Sequence, residues 1–373
     1  MDQNYPLISV IILSYNSLDT LPRAIHSVLM QDYPNIELII SDDHSFSFPE
    51  EYVRAQLNAF GPNISRAEVL TSGSNTGTVA NLRRALGVAR GDYFTVIGSD
   101  DFYSDSGCLS AFASAFERRG DRPLAVSGKA EMWSEDMSCC LRVLPSNDAL
   151  SVLQREDPEE LFNRLSYECC IPIVATCFKR EFVSAVNAFD DSYVYYEDYP
   201  TFIRMARIGI APAYLDKTIV RHPAGGVANG NSSPDIQRGL YYDRRRMWAK
   251  EVNPYSKLLD SESLKKSLAR QKLEKRTFEE GAGRPASRWV RFVRRKARAL
   301  KSFFFSKRLH RAAQAFRFSI LLVVCSVGLA AAPIALSDIM ACLFSIVGFA
   351  SAAISAWFFL SYVCLVCKNR LLR

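Results

Sequence analysis

The chain has 373 residues, which suits one large catalytic domain with appendages. Its composition is 49% hydrophobic and 23% charged, and its formal net charge is +7. The positive excess is local, because twelve Lys or Arg and no acid fall between Arg284 and Arg317. A charge gathered in one stretch beside an apolar tail argues against nucleic acid as a partner. The ten cysteines do not outline a disulfide or zinc framework. Cys139–Cys140 and Cys169–Cys170 are vicinal, and Cys364-x-x-Cys367 has no second pair or histidines nearby. They are expected to be small buried hydrophobes in a reducing compartment.

No signal-peptide pattern opens the chain, so the N-terminal domain is expected in the cytosol. The run from Leu7 to Leu13 is apolar except for Ser9, as in a strand buried on both faces. Asp19 is expected to cap a helix starting near Pro22. A second buried strand, Ile36 to Ile40, leads into Asp42-Asp43. A helix from Glu50 to Ala59, a strand from Glu68 to Thr71, a helix from Val79 to Ala89 and a strand from Tyr93 to Ile97 follow. The last strand runs into Gly98-Ser-Asp-Asp101. This alternation predicts a Rossmann-like, doubly wound, mostly parallel α/β sheet.

Such sheets bind ligands beyond the carboxyl ends of their strands. Two of those ends carry paired aspartates, Asp42-Asp43 and Asp100-Asp101. Adjacent carboxylates repel, so a cation or hydrogen-bond donors must neutralise them. A hard ion, Mn²⁺ or Mg²⁺, takes one or two carboxylates plus phosphate oxygens. Between them, Asn75 and Gly77 suit a tight turn whose following helix would offer free N–H groups to an anion. Glu197 and Asp198 fall at the start of a helix from Pro200 to Arg207, placed either to cap it or to take a proton from a hydroxyl. Neither G-x-G-x-x-G nor G-x-x-x-x-G-K-[ST] occurs, which leaves dinucleotide and P-loop readings without support.

Farther on, Trp289, Phe292, Val293, Leu300, Phe303 and Phe304 recur at helical spacing among arginines and lysines. This predicts a basic amphipathic helix lying on anionic membrane lipids. Phe316 to Leu336 and Ile339 to Cys367 are each long enough to span a bilayer and are joined by a short turn. Basic residues on both flanks place both ends in the cytoplasm.

With these residues in view, 7 to about 222 resemble the family 2 glycosyltransferases of GT-A fold. The resemblance rests on Ser9-Val-Ile-Ile-Leu-Ser-Tyr-Asn16, Ile36-Glu-Leu-Ile-Ile-Ser-Asp-Asp-His-Ser45, Asn75-Thr-Gly77, Ala89-Arg-Gly-Asp-Tyr93, Ser99-Asp-Asp101 and Tyr196-Glu-Asp-Tyr199. It implies that Tyr15, Asn16 and Asn75 line a nucleotide-sugar pocket and that Asp43 bonds the base. It implies that Asp100 and Asp101 hold a divalent metal, Mn²⁺ or Mg²⁺, against the diphosphate. Asp198 then resembles the catalytic base, Glu197 the neighbour that positions the acceptor, and His222 a histidine near the diphosphate. Many relatives have Gly where His44 stands and Asp where Gly98 stands. The Q-x-x-R-W motif of processive members is not evident around Gln237-Arg-Gly-Leu-Tyr241.

The expected organisation is a catalytic domain over 1–230, a helical extension over 231–283, a juxtamembrane helix over 284–315, a transmembrane hairpin over 316–367 and a basic tail over 368–373. The expected function is inverting transfer of one sugar from a nucleotide diphosphate donor to a hydroxyl of a lipid-linked or other saccharide. The expected place is the cytoplasmic face of an inner membrane, in cell-surface polysaccharide synthesis. The alternatives are a polyprenyl-phosphate monosugar synthase and a catalytically silent membrane assembly protein. The loop from Gly225 to Pro234 is expected to be a lid.

Overall fold

The computed structural model describes residues 5–57, 61–120, 122–224 and 233–280, all within the compact unit Met1–Gly283. Its nine strands form one sheet: β1 (Ile8–Ser14), β2 (Ile36–Asp42), β3 (Ile64–Thr71), β4 (Tyr93–Gly98), β5 (Phe102–Tyr103), β6 (Ala125–Trp133), β7 (Cys140–Leu144), β8 (Thr176–Lys179) and β9 (Ala213–Pro223). The helices are α1 (Leu21–Leu29), α2 (Glu50–Leu57), α3 (Thr78–Val88), α4 (Cys108–Arg119), α5 (Asn147–Arg155), α6 (Pro158–Leu165), α7 (Phe182–Val186), α8 (Tyr199–Arg207), α9 (Pro234–Met247) and α10 (Ser261–Lys275).

The strand order is β3-β2-β1-β4-β8-β6-β9-β5, with β7 paired to β6. β1 pairs in parallel with β2 and β4, and β2 in parallel with β3, as a βαβ series requires. Beyond β4 the expectation of a mostly parallel sheet fails, and the sheet is mixed. β8 is wedged antiparallel between β4 and β6, and β6 then pairs in parallel with β9. Only three residues of β8 pair on each side. A strand so short carries too little periodicity to announce its direction.

Both faces of β1 and β2 are covered, which is why these segments read as nearly unbroken apolar runs. Ile11 and Ile39 join Val79, Leu82 and Ala85 of α3 and Phe202 and Ile203 of α8. Val10, Ile12, Leu38 and Ile40 join Leu21, Ala24 and Val28 of α1 and Leu109, Phe112 and Phe116 of α4. The isoleucines of β1 are fully buried, and each such side chain contributes about 1.5–3 kcal/mol.

The polar position of β1 has its own partner. Ser9 donates to Glu37 of β2 and accepts the N–H of Gly91, while Glu37 also pairs with Arg66 of β3. This ties the floor of the sheet to the loop before β4.

One capping expectation is corrected. Thr20, not Asp19, is the N-cap of α1, with Pro22 in the first turn. Thr20 reaches its place because its N–H and hydroxyl both bond the carbonyl of Ser17, closing a turn one residue later than expected.

Among the described residues no helix is long and apolar enough to cross a membrane. The expected juxtamembrane helix, transmembrane hairpin and basic tail lie outside the described residues, as do residues 225–232 of the lid expected over Gly225 to Pro234; its last two residues, Ser233 and Pro234, instead cap and open α9.

Candidate active site

β1, β2 and β4 end side by side, so the loops after Ser14, Asp42 and Gly98 share one edge of the sheet. Tyr15 is exposed there, at 41% of its surface. Asn16 is left-handed (φ 51°) and links two loops: its N–H donates to Ser45 Oγ at 2.7 Å, and its Oδ1 accepts the N–H of Phe46 at 2.9 Å. Ser45 in turn bonds the carboxylate of Asp42 through both its N–H and its hydroxyl. Asn tolerates a positive φ better than most residues, which suits it to this corner. His44 is exposed with Nδ1 3.1 Å from the carbonyl of Ser72, so it hooks onto the chain just past β3.

The anion site expected at the start of α3 is already filled by the protein. Asp43 is buried and accepts the N–H and hydroxyl of Thr76 and, at 2.7 Å, the N–H of Gly77. Gly77 is the N-cap of α3 at φ 89°, and Asn75 Oδ1 also accepts its N–H. A carboxylate at a helix N-terminus suits the dipole, so Asp43 occupies the place foreseen for an outside anion. The Asp42-Asp43 pair is neutralised by hydrogen-bond donors.

Asp100 and Asp101 are arranged differently. Asp101 is buried, accepts the N–H of Gly98 through Oδ2 at 2.8 Å, and presents Oδ1 to His222 Nδ1 at 3.6 Å. The pairing of Phe102 with Arg221 and of Tyr103 with Val220 brings β9 against the turn after β4 and delivers His222 within that strand. Burial, and then the neighbouring charge of Asp100, push the Asp101 carboxyl well above its usual range. Burial holds His222 below its ordinary value against the pull of Asp100.

A Cβ at Gly98 would lie 2.7 Å from Asp100 Oδ1 and 3.2 Å from Asp101 Oδ2, so the Asp100 carboxylate takes up room that a side chain at position 98 would need. Arg23, which the sequence reading missed, stacks over Phe102 and donates to the carbonyl of Asp100 at 3.1 Å.

Among the described residues no three His, Cys, Asp or Glu side chains stand close enough to form a complete metal site by themselves. The donor chemistry nevertheless fits a hard cation. Asp101 is buried with His222 3.6 Å away and Asp100 as its chain neighbour, and phosphate oxygens supply the remaining ligands in sites of this kind.

Glu197 and Asp198 sit in a recess before α8. Asp198 is the N-cap of α8 and accepts the N–H of Tyr199. Burial raises both carboxyls, and the charge of Asp198 adds to the effect on Glu197. The same two charges, after burial itself, push up the Cys169 thiol alongside. The turn at Gly77 connects this recess to Asp43: Val79 N–H donates to the carbonyl of Val194 at 3.1 Å, and Gly77 packs against Val194.

Strands followed by helices on both faces, with acidic groups at one sheet edge and ahead of α8, define a GT-A-like α/β protein. The family model described as "Glycosyl transferase family 2" matches residues 9–128. The putative colanic acid biosynthesis glycosyl transferase WcaA of Escherichia coli K12 is 39% identical over 247 residues, which are 65% of this chain and 82% of that protein. The chain therefore belongs to glycosyl transferase family 2, and it is a glycosyltransferase by that membership.

The Escherichia coli protein named UDP-Glc:alpha-D-GlcNAc-diphosphoundecaprenol beta-1,3-glucosyltransferase WfaP is 32% identical over 26% of this chain and 36% of its own length. Among solved structures, the mannosyltransferase PcManGT of Pyrobaculum calidifontis, in complex with GDP-Man and Mn²⁺, superposes with a TM-score of 0.52 and 16% identity over 86% of this chain and 87% of its own. S. aureus TarS 1-349 in complex with UDP-GlcNAc gives a TM-score of 0.51 at 18% identity over 73% of each chain. These two likenesses are to the fold.

Proposed function

We propose that the chain is a metal-dependent, inverting glycosyltransferase that moves one sugar from a nucleotide diphosphate donor to a hydroxyl of a lipid-linked saccharide. The observation that carries this reading is the presence of a second acidic centre, Glu197-Asp198, apart from Asp100-Asp101 and with its carboxyls raised by burial. A carboxylate tuned upward is suited to take a proton from a hydroxyl, which a phosphate acceptor would not require.

Tyr15, Asn16, Asn75 and the Asp43 turn border the nucleotide. Asp101 and Asp100, with His222 beside them, would hold Mn²⁺ or Mg²⁺. Held there, such an ion would supply positive charge to the departing diphosphate. The acceptor oxygen bonds to the anomeric carbon as the bond from that carbon to the phosphate oxygen breaks. The hydroxyl proton passes to Asp198, while Glu197 orients the acceptor. Attack from the face opposite the leaving group inverts the anomeric centre.

The names of WcaA and WfaP support a role in cell-surface polysaccharide synthesis on lipid-linked acceptors. The apolar stretches from Phe316 to Cys367 and the basic segment before them support action at the cytoplasmic face of a membrane. The test is release of nucleoside diphosphate from a panel of nucleotide sugars, each with Mn²⁺, Mg²⁺ or chelator. Metal-dependent turnover of a donor, lost in Asp101→Ala, supports the reading. Turnover on a polyprenyl phosphate that survives Asp198→Asn transfers the assignment to a monosugar synthase.

A further inference from the structure

Helix α9 lies outside the segment that the family model matches, and its Asp243 is buried. One oxygen of that carboxylate, Oδ2, accepts the N–H groups of three consecutive residues: Val194 at 2.8 Å, Tyr195 at 2.7 Å and Tyr196 at 3.3 Å. These residues immediately precede Glu197 and Asp198. An arc of backbone N–H groups turned inward is an anion nest, and here the protein supplies the anion itself. Any of the three donors left buried without an acceptor would cost about 1–3 kcal/mol.

The neighbours of Asp243 hold the same arc. Arg244 donates to the Tyr196 hydroxyl through Nε at 2.8 Å and pairs with Glu274 of α10. Gly239 lets the Tyr195 ring lie directly on the helix, since a Cβ there would stand 2.9 Å from Tyr195 Cδ2. On the far side, the Thr201 hydroxyl donates to the carbonyl of Glu197 at 2.7 Å. The arc is thus clamped between α9 and α8, with the two carboxylates emerging where the clamp ends.

We infer that Asp243 is a positioning residue for the reaction: its carboxylate fixes the backbone of 194–196 and thereby sets where Glu197 and Asp198 meet the acceptor. The inference rests on the reading of Glu197 and Asp198 given above. Asp243 touches no reacting atom and acts through the arc alone. A displacement of that arc by a fraction of an ångström moves both acceptor-side carboxylates together, while Asp101, on the turn after β4, keeps its place and the nucleotide side is reached only through the contact of Val194 with Gly77 and Val79.

The test is a mutant cycle on the full chain in detergent, with kcat, donor KM and melting temperature measured for Asp243→Asn, Asp243→Ala, Asp198→Asn and the Asp198→Asn/Asp243→Asn double variant. Expected is a fall in kcat of about 10–100-fold in Asp243→Ala, and less in Asp243→Asn, which keeps one acceptor oxygen. Donor KM should change by less than about threefold, because the donor side meets the arc only through Val194. In the Asp198→Asn background the Asp243 substitution should lower the residual rate no further, because both act through one group.

If Asp243→Ala does not fold, Asp243→Asn carries the comparison. A wild-type kcat in a folded Asp243→Ala while Asp198→Asn is inactive overturns the inference alone, as does an equal loss of kcat in both backgrounds. Undiminished turnover in Asp198→Asn by itself fails the base assignment, and the inference with it.

Discussion

The carboxylate of Asp101 and the imidazole of His222 face each other at 3.6 Å, brought together by the short pairing of β5 with β9. If this is the diphosphate end of the site, His222→Ala should raise the Mn²⁺ concentration needed for half-maximal activity by about 10–100-fold while the melting temperature changes little. Titrating Mn²⁺ against turnover checks this.

Gly98 offers a second probe of the same place. A methyl group 2.7 Å from Asp100 Oδ1 must push that carboxylate aside. Gly98→Ala is expected to lower kcat/KM for the donor by about tenfold or more, a loss of 1.4 kcal/mol or above. Steady-state kinetics with a saturating acceptor measure it. An enzyme indifferent to this methyl would show that Asp100 does not meet the donor complex.

Asp43 should act mainly on stability. Removing its carboxylate in Asp43→Ala leaves the N–H of Thr76 without its acceptor and the N–H of Gly77 with Asn75 Oδ1 alone at the start of α3. The expected loss is about 2–4 kcal/mol, from a lost helix cap and unsatisfied donors together. Asp43→Asn should lose less. Equilibrium unfolding in urea separates the two.

The raised carboxyls of Glu197 and Asp198 give a pH dependence whose sign can be worked out. Between the unfolded value, near 4, and the higher folded value, the native state binds more protons than the unfolded chain. Stability therefore falls as pH rises through that window, and the full penalty is present above the folded value. Glu197→Gln removes its share. The variant should be more stable than wild type at about pH 8, with the advantage shrinking toward about pH 4, while transfer is lost. Thermal melts at the two pH values measure it.

The first half of the fold was legible because its physics is local. Ile8 to Ile12 and Ile36 to Ile40 are apolar at every position but two, and those two, Ser9 and Glu37, satisfy each other. The antiparallel insertion of β8 was not legible, since its four residues owe their direction to what flanks them. At the site, the acidic pairs stood out as residues, but their partners did not. Nothing near Asp43 in sequence says that the N-terminus of α3 will consume it. Asp243 sits in a charged run, Tyr241-Tyr-Asp-Arg-Arg-Arg246, inside the expected helical extension, and only the returning chain reveals three N–H groups aimed at it. His222 entered through the resemblance, and it took the register of β9 to place it against Asp101.

The central claim is that this chain transfers a sugar with Asp198 as the base. The most direct test measures donor binding and transfer on the same preparation of Asp198→Asn, using calorimetry with Mn²⁺ for the first and product formation on a saccharide acceptor for the second. The account predicts donor binding within about threefold of wild type and a fall in transfer of about 10²–10⁴-fold. Transfer at the wild-type rate by a variant that binds donor normally would contradict it.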